Sequence, residues 1–359
     1  MEITSTKIYF FIVIFFISVF STLITIPYIK QYAIKKNLLD YPDIRKQRSS
    51  NAVRLGGLAL ISSFLLSLFF LIVFSSFFGI DAIFTENIKI LGLCSIFYFL
   101  LGFFDDLYNL KPLPKLIFQF IFGFFLWSKG INIQNINLPF VENQEIYLPD
   151  TLSIIFTICW ISAITNSINW IDGLDGLAIG ISGLCFVPIS ILNFQNGNYD
   201  IALSSICIIG ACIGFLRYNF KPSRILMGDG GSYFLGMNIA SMSIMASSSY
   251  QINQSIKVAS VDIICSLLIV ALPLFDLIRV IIIRISKGLS PFYPDREHIH
   301  HKFVDRGIKE EYAVIIIYII SVITGSLALF YKGINLTLII STFSILIFIY
   351  RGILIKREN

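Results

Sequence analysis

Apolar stretches separated by short polar segments make up most of the chain. A helix of about 20 residues crosses the apolar layer of a bilayer, and eleven stretches approach or exceed that length. We predict spans at 7–29, 55–79, 88–104, 113–128, 151–168, 177–194, 200–217, 230–248, 257–283, 312–331 and 335–351. Ten spans is the nearest alternative, because several stretches are short. The pattern predicts an all-α polytopic membrane protein in which 1–359 form a single domain.

Composition supports the membrane assignment. Hydrophobic residues make up 56% of the 359 positions and charged residues 14%, whereas soluble proteins average about 25% charged residues. This excludes an ordinary soluble globule. The net charge of +5 is small. Because the basic residues are spread over five short segments beside carboxylates, they do not predict a nucleic-acid-binding surface.

The basic residues also predict the orientation, since short loops rich in Lys and Arg stay in the cytoplasm. Of the 27 Lys and Arg residues, 22 fall on one predicted side of the membrane. The others are Lys7, Lys89, Lys129, Lys257 and Lys332. We therefore predict an N terminus outside and a C terminus in the cytoplasm. That arrangement requires an odd number of spans and favours eleven over ten.

Four clusters of polar residues lie at span ends on the basic side. They occur in the segments GFFDDLYNL, NSINWIDGLDGLA, MGDGGS and PDREHIHHKF. Ionisable groups at a membrane boundary are costly unless they face water or a partner. Because all four clusters share one face, they predict a single active site built from cytoplasmic loops. One of these loops is 284–311, which carries HIHH.

The carboxylates in these clusters are suited to holding a cation. Asp105 and Asp106 could simply balance nearby lysines, but adjacent carboxylates repel and favour an ion such as Mg²⁺, which prefers oxygen ligands. In WIDGLDGL the two aspartates could cap a helix start. Their three-residue spacing beside Asn169 also places them near one helical face. We favour ligand binding for both clusters.

The remaining clusters are suited to phosphate. Asp229 in MGDGGS begins a predicted span, where unpaired N–H groups and the helix dipole attract anions while the carboxylate can hold a metal. HIHH could bind zinc, but no further ligands at zinc spacing accompany it. Beside Arg296 and Lys302, the histidines are better suited to donate hydrogen bonds to a pyrophosphate.

In this order and spacing, the motifs resemble those of the polyprenyl-phosphate N-acetylhexosamine-1-phosphate transferases. The resemblance covers nearly the whole chain. It is carried by RKQRSSNAVRLGG, GFFDDLYNLKPLPK, NSINWIDGLDGLAIG, NFKPSRILMGDGGS, PLFDLIRV and DREHIHHKF. Within the family the chain looks like the branch that initiates O-antigen, common-antigen or teichoic acid synthesis. The phospho-MurNAc-pentapeptide transferases of peptidoglycan synthesis are the second choice.

The resemblance implies a reaction in the bacterial cytoplasmic membrane, with the active site facing the cytoplasm. Undecaprenyl phosphate would attack the β-phosphorus of a UDP-N-acetylhexosamine, giving undecaprenyl-diphospho-sugar and UMP. The implied cofactor is Mg²⁺, with Mn²⁺ as the alternative. The implied partners are these two substrates and the lipid bilayer, with no nucleic acid; a homodimer stays open. A transporter is the rival class, although its polar residues should lie near mid-membrane.

The resemblance also implies roles for individual residues. Asp105, Asp106 and Asp229 match catalytic positions, and Asp105 would act on the lipid phosphate as a base or positioning group. Asn169 and Asp229 match metal-binding positions. The substrate-binding positions are Lys115, Asp172, Asp175, Asn219, Arg296, His298, His300 and His301. The chain departs from the family pattern in the first cytoplasmic loop, where Arg48 replaces a His and Asn51 and Val53 replace prolines.

Overall fold

The computed structural model describes residues 2–36, 39–40, 52–77, 85–137, 145–253 and 256–335. Arg48, Asn51 and nearly all of the predicted last span at 335–351 lie outside these residues. Helices dominate the described part. They are α1 (Glu2–Lys35), α2 (Gly57–Phe77), α3 (Glu86–Tyr108), α4 (Pro112–Ser128), α5 (Asp150–Ile171), α6 (Leu177–Gln195), α7 (Tyr199–Asn219), α8 (Gly228–Ser247), α9 (Ile263–Ile269), α10 (Ala271–Ser286), α11 (Ile299–Asp305) and α12 (Glu310–Tyr331).

Helix length and apolarity agree with a polytopic membrane protein. Within the described ranges, seven helices are long and apolar enough to cross a bilayer, and the bent pair α9 and α10 would make an eighth. The seven are α1, α2, α3, α5, α6, α7 and α12. Large apolar side chains such as Phe20, Ile121 and Phe330 are exposed on the outside of the bundle, as expected of surfaces that face lipid. The protein is an all-α polytopic membrane protein.

The span predicted at 257–283 is not one continuous helix. Its first residues belong to a strand, and the rest form α9 and α10, whose axes are bent by 84°. Pro273 lies in the first turn of α10. Because proline has no N–H and its ring clashes with the carbonyl four residues earlier, it prevents α9 from continuing through this point.

A small sheet covers one end of the bundle, and the apolar pattern did not predict it. Strands β3 to β6 pair in the order β4-β3-β6-β5, with β3 and β6 parallel and the other pairs antiparallel. These strands follow or precede α4, α5, α8 and α9 at that same end. A separate two-residue pair joins β1 and β2. The strands are β1 (Leu39–Asp40), β2 (Ala52–Val53), β3 (Asn135–Asn137), β4 (Glu145–Tyr147), β5 (Ser248–Asn253) and β6 (Ile256–Val261).

Helix α8 lies at the centre of the bundle. Every residue of α8 except Asp229 is buried, and small residues let its neighbours approach closely. A Cβ atom at Gly102 of α3 would overlap the backbone of Asp229, and one at Gly57 of α2 would overlap the backbone of Gly231. The backbones of α2, α3 and α8 are therefore in direct contact at the end opposite the sheet.

Candidate functional site

The predicted polar clusters meet at this end of the bundle, beside a cavity of about 300 Å³ that the side chains of Asp105, Asp106 and Asp229 do not line. The end of α5, the start of α4, the end of α10 and the α10–α11 loop form its walls. The described lining residues are Pro112, Lys115, Leu116, Asn166, Asn169, Trp170, Gly173, Tyr233, Arg284, Phe292, Tyr293, Pro294, Asp295, His298, His300 and His301. Residues that are distant in sequence thus line one cavity.

Asp229 and Asn169 face each other across the ends of α8 and α5. The amide Nδ2 of Asn169 donates to Oδ1 of Asp229 at 2.9 Å and to the hydroxyl of Ser232 at 2.9 Å. Ser232 in turn donates to the backbone oxygen of Asp229. These contacts bring together the two residues that the resemblance implies as metal ligands.

Asp106 binds the N terminus of α8 rather than facing the cavity. Its Oδ1 accepts the backbone N–H of Asp229 at 3.0 Å, and its Oδ2 accepts that of Gly230 at 3.1 Å. The Nε atom of Arg54 lies 3.8 Å from the same carboxylate. Gly228 has a φ of 71°, and a Cβ there would meet the Asp106 carboxylate, so only glycine fits this approach. Asp106 therefore positions Asp229 through the backbone.

Asp105 is buried and paired with Lys115. Its Oδ2 lies 2.6 Å from Nζ of Lys115, and its Oδ1 accepts the N–H of Leu110 at 2.8 Å. The Asp105 side chain is 4% exposed and that of Lys115 20% exposed. Both oxygens of Asp105 are thus occupied by donors within the protein. In this arrangement Asp105 holds Lys115 at the cavity wall.

The oxygens at Asp229 and Asn169 are suited to a hard cation. Mg²⁺ is normally held by one or two carboxylates and keeps several waters or phosphate oxygens, so a carboxylate with an amide oxygen is a fitting donor set. A rotation of the Asn169 amide by half a turn would present its oxygen beside the Asp229 carboxylate. Among the described residues, no group of three or more His, Cys, Asp or Glu side chains is arranged to hold a metal.

The WIDGLDGL segment connects α5 to α6 beside the cavity. Asp175 accepts the backbone N–H of Ser223 at 3.0 Å, and Asp172 follows the last turn of α5. Asn219 is 4% exposed. It accepts the N–H of Gly176 at 3.1 Å and donates to the backbone oxygen of Ile225 at 2.8 Å. These contacts join the α5–α6 and α7–α8 loops. The side chains of Asp172, Asp175 and Asn219 do not line the cavity.

The segment around Val53 is bound to the α7–α8 loop. Val53 accepts the N–H of Leu226 at 2.8 Å, and Gly56 donates to the carbonyl of the same leucine at 2.9 Å. Val53 itself is buried. Although this residue replaces a proline of the family pattern, backbone hydrogen bonds hold its segment beside Asp106 and the start of α8.

His298 is oriented by Asp276, a residue that the motif analysis did not assign. Nδ1 of His298 lies 2.7 Å from Oδ2 of Asp276, whose other oxygen accepts the N–H of Ile299 at 2.9 Å and Nη2 of Arg279 at 2.8 Å. Asp276 therefore fixes both the histidine ring and the start of α11. The segment PLFDLIRV contains it, but an aspartate within an apolar helix gives no sign in sequence of its histidine partner.

His300 and His301 line the cavity next to each other. The centroids of their rings are 4.2 Å apart. His300 is fully buried against Gly173, where a Cβ would overlap its Nε2, and neither ring nitrogen of His300 has a hydrogen-bond partner within the described protein. Burial, and then the neighbouring His301, hold the pKa of His300 well below its ordinary value of 6.5. Burial, followed by the charge of Arg296, also lowers the pKa of His301.

Two arginines of this region behave differently. Arg296, which the resemblance places among the substrate-binding residues, is exposed and pairs with Asp305 at 2.9 Å; it does not line the cavity. Arg284, which the sequence analysis did not single out, is buried and lines it. Its guanidinium forms two parallel hydrogen bonds to Asp295 and lies 4.8 Å from the centre of the Trp170 ring. Arg284 lies in the last turn of α10, and only tertiary packing distinguishes it from the other basic residues nearby in sequence.

Comparison with known proteins shows the family of the chain. The family model of glycosyl transferase family 4 matches residues 88–247. A "Probable undecaprenyl-phosphate N-acetylglucosaminyl 1-phosphate transferase" of Bacillus subtilis (strain 168) is 32% identical over 339 residues, which are 94% of this chain and 89% of that protein. A "Decaprenyl-phosphate N-acetylglucosaminephosphotransferase" of Mycobacterium leprae (strain TN) is 31% identical, covering 78% of this chain and 73% of the relative.

A third relative comes from another branch. A "Phospho-N-acetylmuramoyl-pentapeptide-transferase" of Prochlorococcus marinus is 31% identical over 324 residues, covering 83% of each chain. All three relatives are named as transferases, and the protein is an enzyme. With the similarity to the Bacillus subtilis relative extending over nearly its whole length, the chain belongs to glycosyl transferase family 4, as a polyprenyl-phosphate N-acetylhexosamine-1-phosphate transferase.

Proposed function

We propose that the protein transfers the sugar-1-phosphate of a UDP-N-acetylhexosamine to undecaprenyl phosphate, as the first membrane step of cell-surface polysaccharide synthesis. An oxygen of the lipid phosphate forms a bond to the β-phosphorus of the donor. The bond from that phosphorus to the bridging oxygen breaks, and UMP leaves with the electron pair. The names of the Bacillus subtilis and Mycobacterium leprae relatives support this reaction.

One observation carries the proposal: Lys115, Asn169 and the two histidines His300 and His301 line one cavity at the end of a bundle of apolar helices. The acceptor is a lipid and the donor is soluble in water, so the reaction needs a site at a membrane boundary. Both substrates are anions that repel each other, and phosphoryl transfer is accelerated mainly by positioning and by neutralising charge. The cavity supplies hydrogen-bond donors for that purpose, and Asp229 and Asn169 would hold a cation beside it.

Asp229 and Asn169 would hold the magnesium ion of the proposed reaction, with Mn²⁺ as an alternative. When bound, a divalent cation neutralises phosphate oxygens and stabilises the charge that develops on the leaving group. Lys115, positioned by Asp105, binds the pyrophosphate. His298, positioned by Asp276, and its neighbours His300 and His301 donate to the phosphates or the sugar. Asp172, Asp175 and Asn219 shape the loops at which we place the nucleotide.

We further propose that this end of the bundle faces the cytoplasm of a bacterial cell, with eleven spans in all. The distribution of Lys and Arg supports this orientation. Lys89, Lys129 and Lys332 lie at or near helix ends on the side of the sheet, whereas Lys115 and Arg284 lie on the side of the cavity. We also propose that the protein forms a homodimer and acts in O-antigen, common-antigen or teichoic acid synthesis.

Transfer of phospho-MurNAc-pentapeptide is the second candidate, because the Prochlorococcus marinus relative carries that name. It shares the acceptor and the chemistry and differs in the donor. The rival class, a lipid-linked sugar transporter, is less well supported, since the described polar cluster lies at one end of the helices and not near their middle.

The experiment is a donor panel with the purified full chain in detergent. The protein is incubated with undecaprenyl phosphate, Mg²⁺ and UDP-GlcNAc, UDP-GalNAc or UDP-MurNAc-pentapeptide, and release of UMP is measured with and without EDTA. We expect UMP from an N-acetylhexosamine donor, dependent on both lipid and metal. UMP from the pentapeptide donor alone would establish the second candidate. Absence of UMP with every donor from a folded protein would refute the proposed function.

The variant Asp229→Asn tests the metal assignment. We expect it to lose Mg²⁺-dependent transfer while keeping the unfolding temperature of the wild type, because the amide is isosteric but uncharged. Asp150→Asn is the matched control, since Asp150 is exposed at the start of α5 near the sheet. Full activity in Asp229→Asn would contradict the assignment.

A further inference from the structure

One wall of the cavity is aromatic and takes no part in the phosphate chemistry. Trp170 lies at the end of α5, and Phe292 and Tyr293 come from the α10–α11 loop. The rings of Trp170 and Phe292 meet edge to face, with centroids 6.1 Å apart and planes at 87°. Trp170 is half-buried and Phe292 is 41% exposed. These residues therefore present ring surface to the cavity instead of filling the protein core.

Arg284 holds this wall in place. Its Nε and Nη2 donate to the two oxygens of Asp295 at 2.9 and 3.0 Å, and its Nη1 donates to the carbonyl of Pro291 at 2.6 Å. The same guanidinium lies 4.8 Å from the centre of the Trp170 ring. A guanidinium over an indole is a favourable cation–π contact. One buried side chain thus fixes Trp170 to the loop that carries Phe292.

The wall adjoins the groups that the proposed reaction uses for the pyrophosphate. Asn169 and Trp170 are consecutive residues and share one face of the α5 end with Asn166 at helical spacing. Lys115, Asn169 and His300 form what we call the polar side of the lining, and the rings adjoin it, with the Trp170 and His298 centroids 6.1 Å apart. In a nucleotide sugar, the hexose is attached directly to the pyrophosphate. The nucleoside is attached to the other end of the pyrophosphate, and we place it at the α5–α6 and α7–α8 loops. A pyrophosphate on the polar side then leaves the hexose beside the rings.

The charges around the wall favour an uncharged sugar. Arg284, the cation at this wall, is paired with Asp295, whose carboxylate also lines the cavity. The face of an aromatic ring carries negative partial charge. It attracts the C–H groups on the apolar side of a pyranose and repels a carboxylate.

We propose that Trp170 and Phe292 form the seat of the donor's hexose ring, which we call the aromatic seat, and that it selects an uncharged hexosamine. This inference rests on the proposed function, because it assumes a nucleotide-sugar donor. The aromatic seat determines specificity for the sugar and leaves binding of the nucleotide and pyrophosphate to the polar side of the cavity.

Binding measured without turnover tests the seat. The full chain in detergent is titrated by calorimetry with UDP, UDP-GlcNAc and UDP-glucuronate. For the wild type we expect UDP-GlcNAc to bind more tightly than UDP, and UDP-glucuronate no more tightly than UDP. Trp170→Ala should weaken UDP-GlcNAc about tenfold, the loss of one aromatic contact of about 1.4 kcal/mol, and leave UDP unchanged. Trp170→Phe should restore most of the lost affinity.

Two further variants complete the test. Phe292→Ala removes an exposed ring, so the fold should tolerate it, and it should weaken UDP-GlcNAc in the same direction. Tyr312→Ala is the matched control, since Tyr312 is 59% exposed on α12 and does not line the cavity; it should change neither affinity. Equal weakening of UDP and UDP-GlcNAc by Trp170→Ala, or no weakening of either, would overturn the seat.

The outcomes also separate the seat from the proposed function. If the wild type releases UMP from UDP-GlcNAc but Trp170→Ala does not selectively weaken UDP-GlcNAc, the proposed function stands and the aromatic seat is refuted. If the wild type binds none of the three nucleotides and releases no UMP, both the proposed function and the aromatic seat are refuted. UDP-glucuronate binding as tightly as UDP-GlcNAc would overturn the selection for an uncharged sugar.

Discussion

Asp106→Asn tests whether the second aspartate of the DD pair works through the backbone of α8. In the wild type, the carboxylate accepts two N–H groups at the start of α8, at 3.0 and 3.1 Å. Each hydrogen bond to a charged group contributes about 1.5–3 kcal/mol. Asparagine offers a single oxygen without charge, so one bond is lost and the other weakened, a cost of about 2 kcal/mol. If this cost falls on the placement of Asp229, activity drops about 30-fold.

The assay measures UMP release as a function of Mg²⁺ concentration, together with thermal unfolding. We expect the half-saturating Mg²⁺ concentration of Asp106→Asn to rise and the unfolding temperature to fall by no more than about 4 °C. Excess Mg²⁺ should recover part of the rate, because it favours the correct position of Asp229. A lost rate with an unchanged Mg²⁺ requirement would refute the reasoning and indicate that Asp106 contacts the substrate directly.

Three further substitutions test other parts of the site. Lys115→Met leaves the Asp105 carboxylate buried without its cation, which lowers the free energy of unfolding by about 3 kcal/mol, and it should raise the KM for the donor. Lys111→Met, at an exposed neighbouring position, is the control and should leave the KM unchanged. An unchanged KM and kcat in Lys115→Met would contradict this role. Arg284→Lys cannot form the bidentate pair, so limited proteolysis should cut the α10–α11 loop faster, and an unchanged cleavage rate would argue against the arginine's role. In the wild type, the unfolding temperature should fall below about pH 6.5, because His300 takes up a proton more readily in the unfolded chain than when it is buried. His300→Phe should make this fall smaller. Equal pH profiles for wild type and variant would contradict the reasoning.

The sequence predicted the elements of the fold better than their connections. Runs of apolar residues placed the start and end of α5, α6 and α7 to within a few residues, because lipid-facing and core-facing positions are both apolar in such helices. The same property hid the break between α9 and α10 and the strand before it. An apolar run does not distinguish a continuous helix from a strand followed by a bend.

Site residues were predictable as a set, but their partners were not. The positions of the motifs at span ends predicted that Asp105, Asp106, Asn169 and Asp229 lie near one another at one membrane face. The structure places these four residues close together. It also assigns Asp106 to the α8 backbone, which depends on how close α3 and α8 approach. Which residue a buried carboxylate contacts is set by packing between helices distant in sequence, and a single sequence carries no record of that distance.

The glycine contacts among α2, α3 and α8 have a mechanical consequence. Helices whose backbones touch have no side chains between them to rearrange, so this part of the protein should keep its shape when bilayer thickness changes. The α10–α11 loop is held by the buried pair of Arg284 and Asp295 and also by ion pairs near the surface, such as Lys287 with Glu297; salt screens the surface pairs. Lipid chain length should therefore have little effect on the start of α8, and ionic strength should act on the α10–α11 loop.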